Sequence, residues 1–515
     1  MKPDDPSPTK TKKITTTLDS MPFGTDEQIQ NMTKKFSKEL PAGVVSRLLY
    51  KDILVIAWPA MAERAFAAVA GMISMMMVGS LGPWAIASIG LAMMPRFLMF
   101  TVLVALNIGT TALVARSRGA GDQAKANSYL RQAMIMGVVC SVAVSIIGYF
   151  FAEQLIRLMG AMDDETLIGG TIFMQIQAIG FIFVGIPVTI TAALRGIGDS
   201  RSPMIYNTVA TVINIILNFL LIEGRWGFPR LELAGASIAA VAGHVVATGI
   251  AISVIMRKKN YISLNIKMPV RINWQHQRDI FRIGAPALGE QFILRFAMIL
   301  VNRIVAELGT NDFAAHHITT NFMTFTLIIG EGFSTSATTL MGQSIGKKRP
   351  DMAQAYISRC RKSGLIGAII TALFFVVLRH PLTGLYTDDY EVIQTSVFLI
   401  LILAIIQPFQ ASQFIVSGAL RGAGDTFAVA VVNFFSALLL RPTLAVIAIF
   451  VLDWGVAGAW YAFLADQFVR SFLIMLRFTS GRWKKVFTLK QSNAKPLEPI
   501  PKAVLTEQIE DDTVT

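Results

Sequence analysis

The sequence predicts an all-α membrane protein: twelve transmembrane helices in two homologous six-helix lobes. Three observations carry that expectation. Of 515 residues, 53% are hydrophobic and only 15% charged, against about 25% charged in an ordinary soluble chain. The 46 basic and 33 acidic residues are also partitioned, with only about ten inside apolar segments. Finally, an internal repeat of about 227 residues runs through the apolar part of the chain. Together these disfavour a collagen, a disordered chain, a disulfide-stapled secreted domain and a soluble two-domain enzyme.

Apolar segments run over about 52–79, 85–113, 132–151, 169–193, 204–222, 235–256, 283–306, 313–340, 363–379, 392–417, 427–451 and 456–476. Each is of membrane-crossing length, or close to it, and none alternates like a barrel strand. In hydrocarbon the backbone must satisfy its own hydrogen bonds, so each segment is expected to be a helix. The organisation expected is a polar tail over 1–47, an N-terminal lobe over 48–256, a basic linker over 257–282, a C-terminal lobe over 283–480 and a second tail over 481–515. No apolar core lies near the N-terminus, so the first span is expected to be the insertion signal.

The loops between spans alternate between two sides with very unequal basic content. One side carries Arg116, Arg118, Lys125, Arg131, Arg195, Arg201, the cluster from Arg257 to Arg282, Lys347 to Arg349, Arg359 to Lys362, and Arg421; the other has Arg157, Arg225, Arg230 and, at a border, Arg379. By the excess of basic residues on the inner side of a membrane, both termini are expected in the cytoplasm, the protein being multi-pass in a prokaryotic cytoplasmic membrane. The net charge of +13 is then a topology signal. No aromatic-interleaved basic domain accompanies it, and nucleic-acid binding is not expected. Cys140 and Cys360, placed in an apolar segment and a basic loop, are expected neither to meet nor to bind metal.

The repeat is visible residue by residue. Pro59-Ala60-Met61-Ala62-Glu63 recurs as Pro286-Ala287-Leu288-Gly289-Glu290, and Leu81-Gly82 as Leu308-Gly309. Leu194-Arg195-Gly196-x-Gly198-Asp199 recurs as Leu420-Arg421-Gly422-x-Gly424-Asp425. An even number of spans separates the copies, so the lobes share orientation about an axis along the membrane normal, with a cleft between them at mid-membrane. Alternating-access transport is the function this arrangement suits. The Leu-Arg-Gly-x-Gly-Asp copies read as hinge devices, the glycines permitting a tight reversal and Arg and Asp able to pair or cap helix ends.

The duplicated layout, the two Leu-Arg-Gly loops, Ala314-Ala315-His316 with Asn321, and Gly342-Gln343-x-x-Gly346 together resemble the multidrug and toxic compound extrusion (MATE) family over residues 48–480. The resemblance implies twelve helices in two lobes. It also implies export of cationic or amphipathic organic compounds in exchange for Na+ or H+, without a cofactor, by a protein expected to be monomeric in the bilayer. Family members carry an amino-lobe cation site of one acid and two asparagines. Asn214 and Asn218 match the asparagines, whereas the acid position holds Ser74. Two further acid positions hold Leu294 and Gln410.

Charges inside spans are costly and are functional candidates by default. They are Glu63, Arg64, Arg96, Glu290, Arg295, Arg303, Glu331, Arg441, Asp466 and Arg470. Asp466 and Arg470 can pair one turn apart, Arg303 can snorkel outward, and Arg441 can donate to carbonyls freed by Pro442. A cation antiporter needs a partly desolvated carboxylate that proton, ion and substrate occupy in turn. The candidates are Glu290 first, then Glu63 and Glu331, the competing reading being structural pairs with Arg64, Arg96 or Arg295. Glu63 lies eleven residues before Ser74, about 16 Å along the same helix face, and Glu290 lies one turn before Leu294. Asn107, Asn321, Gln407, Gln410 and Gln413 are candidate cleft groups, with interhelical hydrogen bonding as the alternative. No Gly-x-x-x-x-Gly-Lys-Ser/Thr loop is present, which argues against direct ATP drive. Two rivals are a flippase for lipid-linked saccharides, favoured by the in-span arginines, and a membrane-embedded transferase, which would need a convergent site that the sequence does not offer.

Overall fold

The computed structural model describes residues 16–24, 45–160, 163–257, 260–264 and 271–484. Twelve long helices account for most of them. The first half holds α1 (Ser46–Gly79), α2 (Pro83–Gly119), α3 (Gln123–Phe150), the short α4 (Ala152–Leu158), α5 (Asp164–Gly196), α6 (Arg201–Leu221) and α7 (Glu232–Met256). The second holds α8 (Trp274–Ala306), α9 (Thr310–Gly346), α10 (Pro350–Gly384), α11 (Tyr390–Gly422), α12 (Thr426–Val451) and α13 (Gly455–Thr479). Ten of the twelve contain a window apolar enough to cross a membrane; α9 and α13 do not.

Local chemistry sets the ends. Asp122, Asp163 and Asn273 each accept a hydrogen bond from the backbone N–H three residues on, capping α3, α5 and α8. The second glycine of each Leu-Arg-Gly-x-Gly-Asp loop, Gly198 and Gly424, takes φ of 91° and 81°, a left-handed conformation that a side chain would strain. Helix α8 begins at Trp274, within the stretch read as linker. Cys360, expected in a loop, is instead buried inside α10, because α10 continues well beyond its apolar segment. Pro442 does not break α12; the helix widens into π turns over Phe434–Leu440 and Ile447–Val451.

The two halves pack alike. Helix α5 sits against α2, α3 and α7 as α11 sits against α9, α10 and α13, while α1 packs on α6 as α8 packs on α12. Between halves, α2 meets α8 and α1 meets α9, with α2 and α9 crossing at the axis. This is a twofold relation, and the contacts obey it. A Cβ on Gly119 would stand 1.9 Å from the Gln343 carbonyl oxygen, and one on Gly346 would stand 2.0 Å from that of Arg116. Tyr356 donates to Asp52 at 2.8 Å, and Tyr129 donates to Asp279 at 3.0 Å. Gln343 Nε2 donates to the Gly196 carbonyl and Arg116 Nη2 to that of Ala423, at 3.0 and 3.1 Å. Small residues let backbones approach this closely in a membrane, where the hydrophobic effect does not drive helices together.

All of these contacts lie toward the basic face. The described N-terminal segment adds to them. Thr17 N–H donates to Asp52 at 2.8 Å, Lys347 Nζ donates to the carbonyls of Leu18 and Asp19, and Asp19 pairs with Arg118. Among the described residues, the only inter-lobe ion pair or hydrogen bond away from this face is Arg64–Glu331, midway along α1 and α9. Overpacking a close helix crossing costs about 1–3 kcal/mol. Gly346→Ala is therefore expected to lower the thermal midpoint in detergent, whereas Gly71→Ala, where the Cβ meets open space, leaves it unchanged.

Candidate functional site

The two duplicated acids do not face an open cleft. Helix α1 brings Glu63 to Arg195 at the end of α5, with Nη2 2.9 Å from Oε2, and Asn207 of α6 donates to Oε1 at 2.8 Å. The second half repeats this. Glu290 of α8 pairs with Arg421 at the end of α11, and Asn433 of α12 donates to it at 2.8 Å. Glu290 is fully buried. A carboxylate removed from water needs such compensation, and losing one partner of a buried pair costs far more than the pair itself gains. The partners are the loop arginines and not Arg64, Arg96 or Arg295, the partners that in-span charge alone suggested.

Glu331 differs. Its carboxylate meets the Arg64 guanidinium across the lobes, and the two side chains keep 30% and 38% of their exposure. Nearby on α8, half-buried Arg295 lies over the Phe97 ring of α2, 4.8 Å from its centroid, again across the lobes. Two arginines and one glutamate thus lie across the inter-lobe boundary, away from the tightly packed basic face.

Ser74, Asn214 and Asn218, matched above through the family resemblance, lie together. Asn218 Nδ2 donates to Ser74 Oγ at 3.0 Å, and Ser74 Oγ lies 3.5 Å from Asn214 Oδ1. The cluster offers neutral oxygens only. The candidate cleft residues do not converge. Asn321 is exposed, while Asn107 is buried with neither amide atom bonded. Gln410 and Gln413 are buried within the second half, Gln410 3.5 Å from Thr326 Oγ1 and Gln413 donating to Ser417 Oγ at 3.2 Å. Gln407 is buried beside them in α11. Of the other in-span charges, Asp466 pairs with Arg470, Arg303 with Glu307 at 3.7 Å, and Arg441 stacks on Phe463 at 4.0 Å without bonding a carbonyl. No group of His, Cys, Asp and Glu suited to a metal occurs among the described residues.

The sequence reading missed Arg195, Arg421, Asn207 and Asn433 as partners of the two acids. A signal for them existed: Glu, Arg and Asn each recur about 226 or 227 residues on, so opposite charges are duplicated together.

Comparison with known proteins agrees with this fold. The family model MatE matches residues 59–220 and 286–447, one stretch in each half. A "Probable multidrug resistance protein NorM" from Thermotoga maritima is 26% identical over 462 residues, covering 90% of this chain and 99% of that protein. An "Uncharacterized transporter YisQ" from Bacillus subtilis is 26% identical over 436 residues, covering 84% and 94%. Among solved structures, the outward-facing conformation of a multidrug resistance MATE family transporter of the MOP superfamily aligns with a TM-score of 0.79 at 20% identity, covering 87% of this chain and 100% of that one. A MOP superfamily transporter from Pyrococcus furiosus, described as having a binding pocket of reverse polarity, aligns at 0.77 with 20% identity, covering 88% and 100%.

The pairing generates a double-mutant test. Glu290→Gln leaves Arg421 uncompensated and is expected to cost about 3–5 kcal/mol, read as a large drop in thermal midpoint. Adding Arg421→Gln is expected to recover much of it, and additive losses would show that the pair is not coupled. Glu63→Gln is expected to cost less, since Glu63 is less buried.

Proposed function

The chain belongs to the MatE family, and on that premise we propose that it is a secondary-active multidrug exporter, moving cationic or amphipathic organic compounds out of the cell in exchange for Na+ or H+ by alternating access. The supporting observation is the confinement of inter-lobe bonding to the basic half of the helices, with Arg64–Glu331 at its limit. In this reading residues 48–256 and 283–480 are lobes that rock against each other. The basic face is cytoplasmic, so the arrangement is the outward-open one, and the protein works as a monomer in the cytoplasmic membrane.

Glu331 is the coupling acid in this proposal, ahead of Glu290 and Glu63. Those two are neutralised by guanidinium and amide groups inside their own lobes, and a proton or cation arriving there would strand a buried arginine. Glu331 is reachable from the cleft, and its partner comes from the other lobe. A cation that takes the carboxylate releases Arg64, and Arg64 returning expels the cation, so occupancy and lobe contact are linked. Ser74, Asn214 and Asn218 supply a neutral polar site in the first lobe, with no acid to hold a cation strongly.

One observation favours a second reading: two arginines, Arg64 and Arg295, accompany the single glutamate. That balance suits an anionic group, as on a lipid-linked saccharide, and would make the protein a flippase.

Everted membrane vesicles under separately imposed proton and sodium gradients separate these readings. Gradient-driven accumulation of a fluorescent cationic dye is expected, with Glu331→Gln lowering its rate roughly tenfold, a loss of about 1.4 kcal/mol. If no cation moves under either gradient the export reading fails, and if Glu331→Gln transports normally the assignment of the coupling acid fails.

A further inference from the structure

The twofold relation exposes a place where the two copies disagree. On one side of the seam α3 meets the start of α8, and hydrogen bonds of Gln132 bridge this joint. Gln132 donates to the Arg271 carbonyl at 2.8 Å, accepts from the Asn273 backbone at 3.1 Å, and lies 3.2 Å from Gln277 Nε2. On the other side α10 meets the start of α1. Here the residues equivalent to Gln132, Asn273 and Gln277 are Arg359, Ser46 and Tyr50. Arg359 Nε donates to Ser46 Oγ at 3.1 Å, and beside this one bond the joint holds a cavity of about 490 Å³ lined by Ser46, Tyr50, Arg359, Arg361, Lys362 and Leu365.

The charge in this cavity is particular to one copy. Where α10 has Arg361 and Lys362, the equivalent stretch of α3 has Met134 and Ile135, so the shared fold does not require them. Among the described residues no carboxylate pairs with Arg359, Arg361 or Lys362. Asp52, the nearest acid along α1, is committed to Tyr356 and Thr17. A second cavity of about 390 Å³, lined by Val416, Met475 and Phe478, shares Arg359 and Arg361 with the first. The flank is apolar and outward-facing. Leu48 and Leu54 on α1, and Leu365, Ile366 and Ile369 on α10, are exposed near the cytoplasm-side ends that the basic loops mark.

We propose that this joint binds the phosphate headgroup of an anionic phospholipid, with Arg359, Arg361 and Lys362 around the phosphate, Tyr50 and Ser46 as hydroxyl donors, and acyl chains along the exposed leucines and isoleucines. Basic pockets between spans at the inner leaflet are suited to anionic headgroups, each Lys or Arg near the surface adding about 1 kcal/mol. Because α1 and α10 come from different halves, a lipid seated here ties them together as Gln132 does at the twin joint. Anionic lipid therefore stabilises the arrangement in which the basic face is closed.

The full chain in detergent, titrated with phosphatidylglycerol, phosphatidylcholine or inorganic phosphate, tests this through thermal midpoint and native mass spectrometry. Phosphatidylglycerol is expected to raise the midpoint and remain bound, and phosphatidylcholine to do neither. Inorganic phosphate at the same concentration is expected to have little effect, because it lacks the acyl contacts. Arg361→Gln/Lys362→Gln removes two charges without touching the Arg359–Ser46 bond and is expected to weaken phosphatidylglycerol binding about thirtyfold. Arg131→Gln, at the twin joint, is expected to leave it unchanged. Equal stabilisation by phosphatidylcholine, an undiminished phosphatidylglycerol effect in the double variant, or an equal response to free phosphate would overturn the proposal.

Discussion

The structure depends on one seam, the crossing of α2 and α9 near the basic face. Gly119 and Gly346 bring each backbone against the other's carbonyl, at a distance no side chain permits. Several bonds at that level follow in pairs: Tyr356 with Asp52 and Tyr129 with Asp279, Gln343 on the Gly196 carbonyl and Arg116 on that of Ala423. In a bilayer such polar bonds and close packing replace the hydrophobic effect as what joins helices. Among the described residues the bonds between halves lie toward one face, and none is found beyond Arg64–Glu331, midway along α1 and α9. A transporter needs this asymmetry, since a seam along the whole length would leave nothing to exchange.

The charged pairs divide the work. Glu63–Arg195–Asn207 and Glu290–Arg421–Asn433 are internal to each half and tie a loop arginine to the first helix of its own repeat. They brace each half, because opening either would leave a largely buried charge unpaired. Arg64–Glu331 joins the halves and is partly exposed. A pair that both lobes share, and that a solute can reach, can change partners during a cycle. In the proposed cycle, pairs internal to each lobe beside one external pair that can exchange would suit lobes that rock.

Much of this was legible in the sequence. Span count followed from hydrophobic length, and the repeat followed from motifs at a constant offset. The grouping of Ser74 with Asn214 and Asn218 was carried by the family resemblance alone. What stayed hidden was pairing over long sequence distance. In-span charge ranked Glu290 and Glu63 as candidates for ion coupling because their partners, Arg195 and Arg421, sit at helix ends and were read as hinge residues. Helix ends differ from the apolar segments where polar turns extend a span: α8 starts at Trp274 behind the Asn273 cap, and α10, with Pro350 in its first turn, carries Cys360 inside it, ends that hydropathy does not mark. The unequal joints could not be foreseen, since the roles of Gln132 and Arg359 depend on what faces them across the seam.

In the proposed cycle the basic-face seam must part during transport. Ser128 of α3 and His276 of α8 face each other across it, 2.7 Å apart. With Cys140 and Cys360 replaced by alanine, Ser128→Cys/His276→Cys can be oxidised to a disulfide across the seam and reduced again. Oxidation is expected to stop gradient-driven export, and reduction to restore it. Export by the cross-linked protein at the rate of the reduced one would contradict the account.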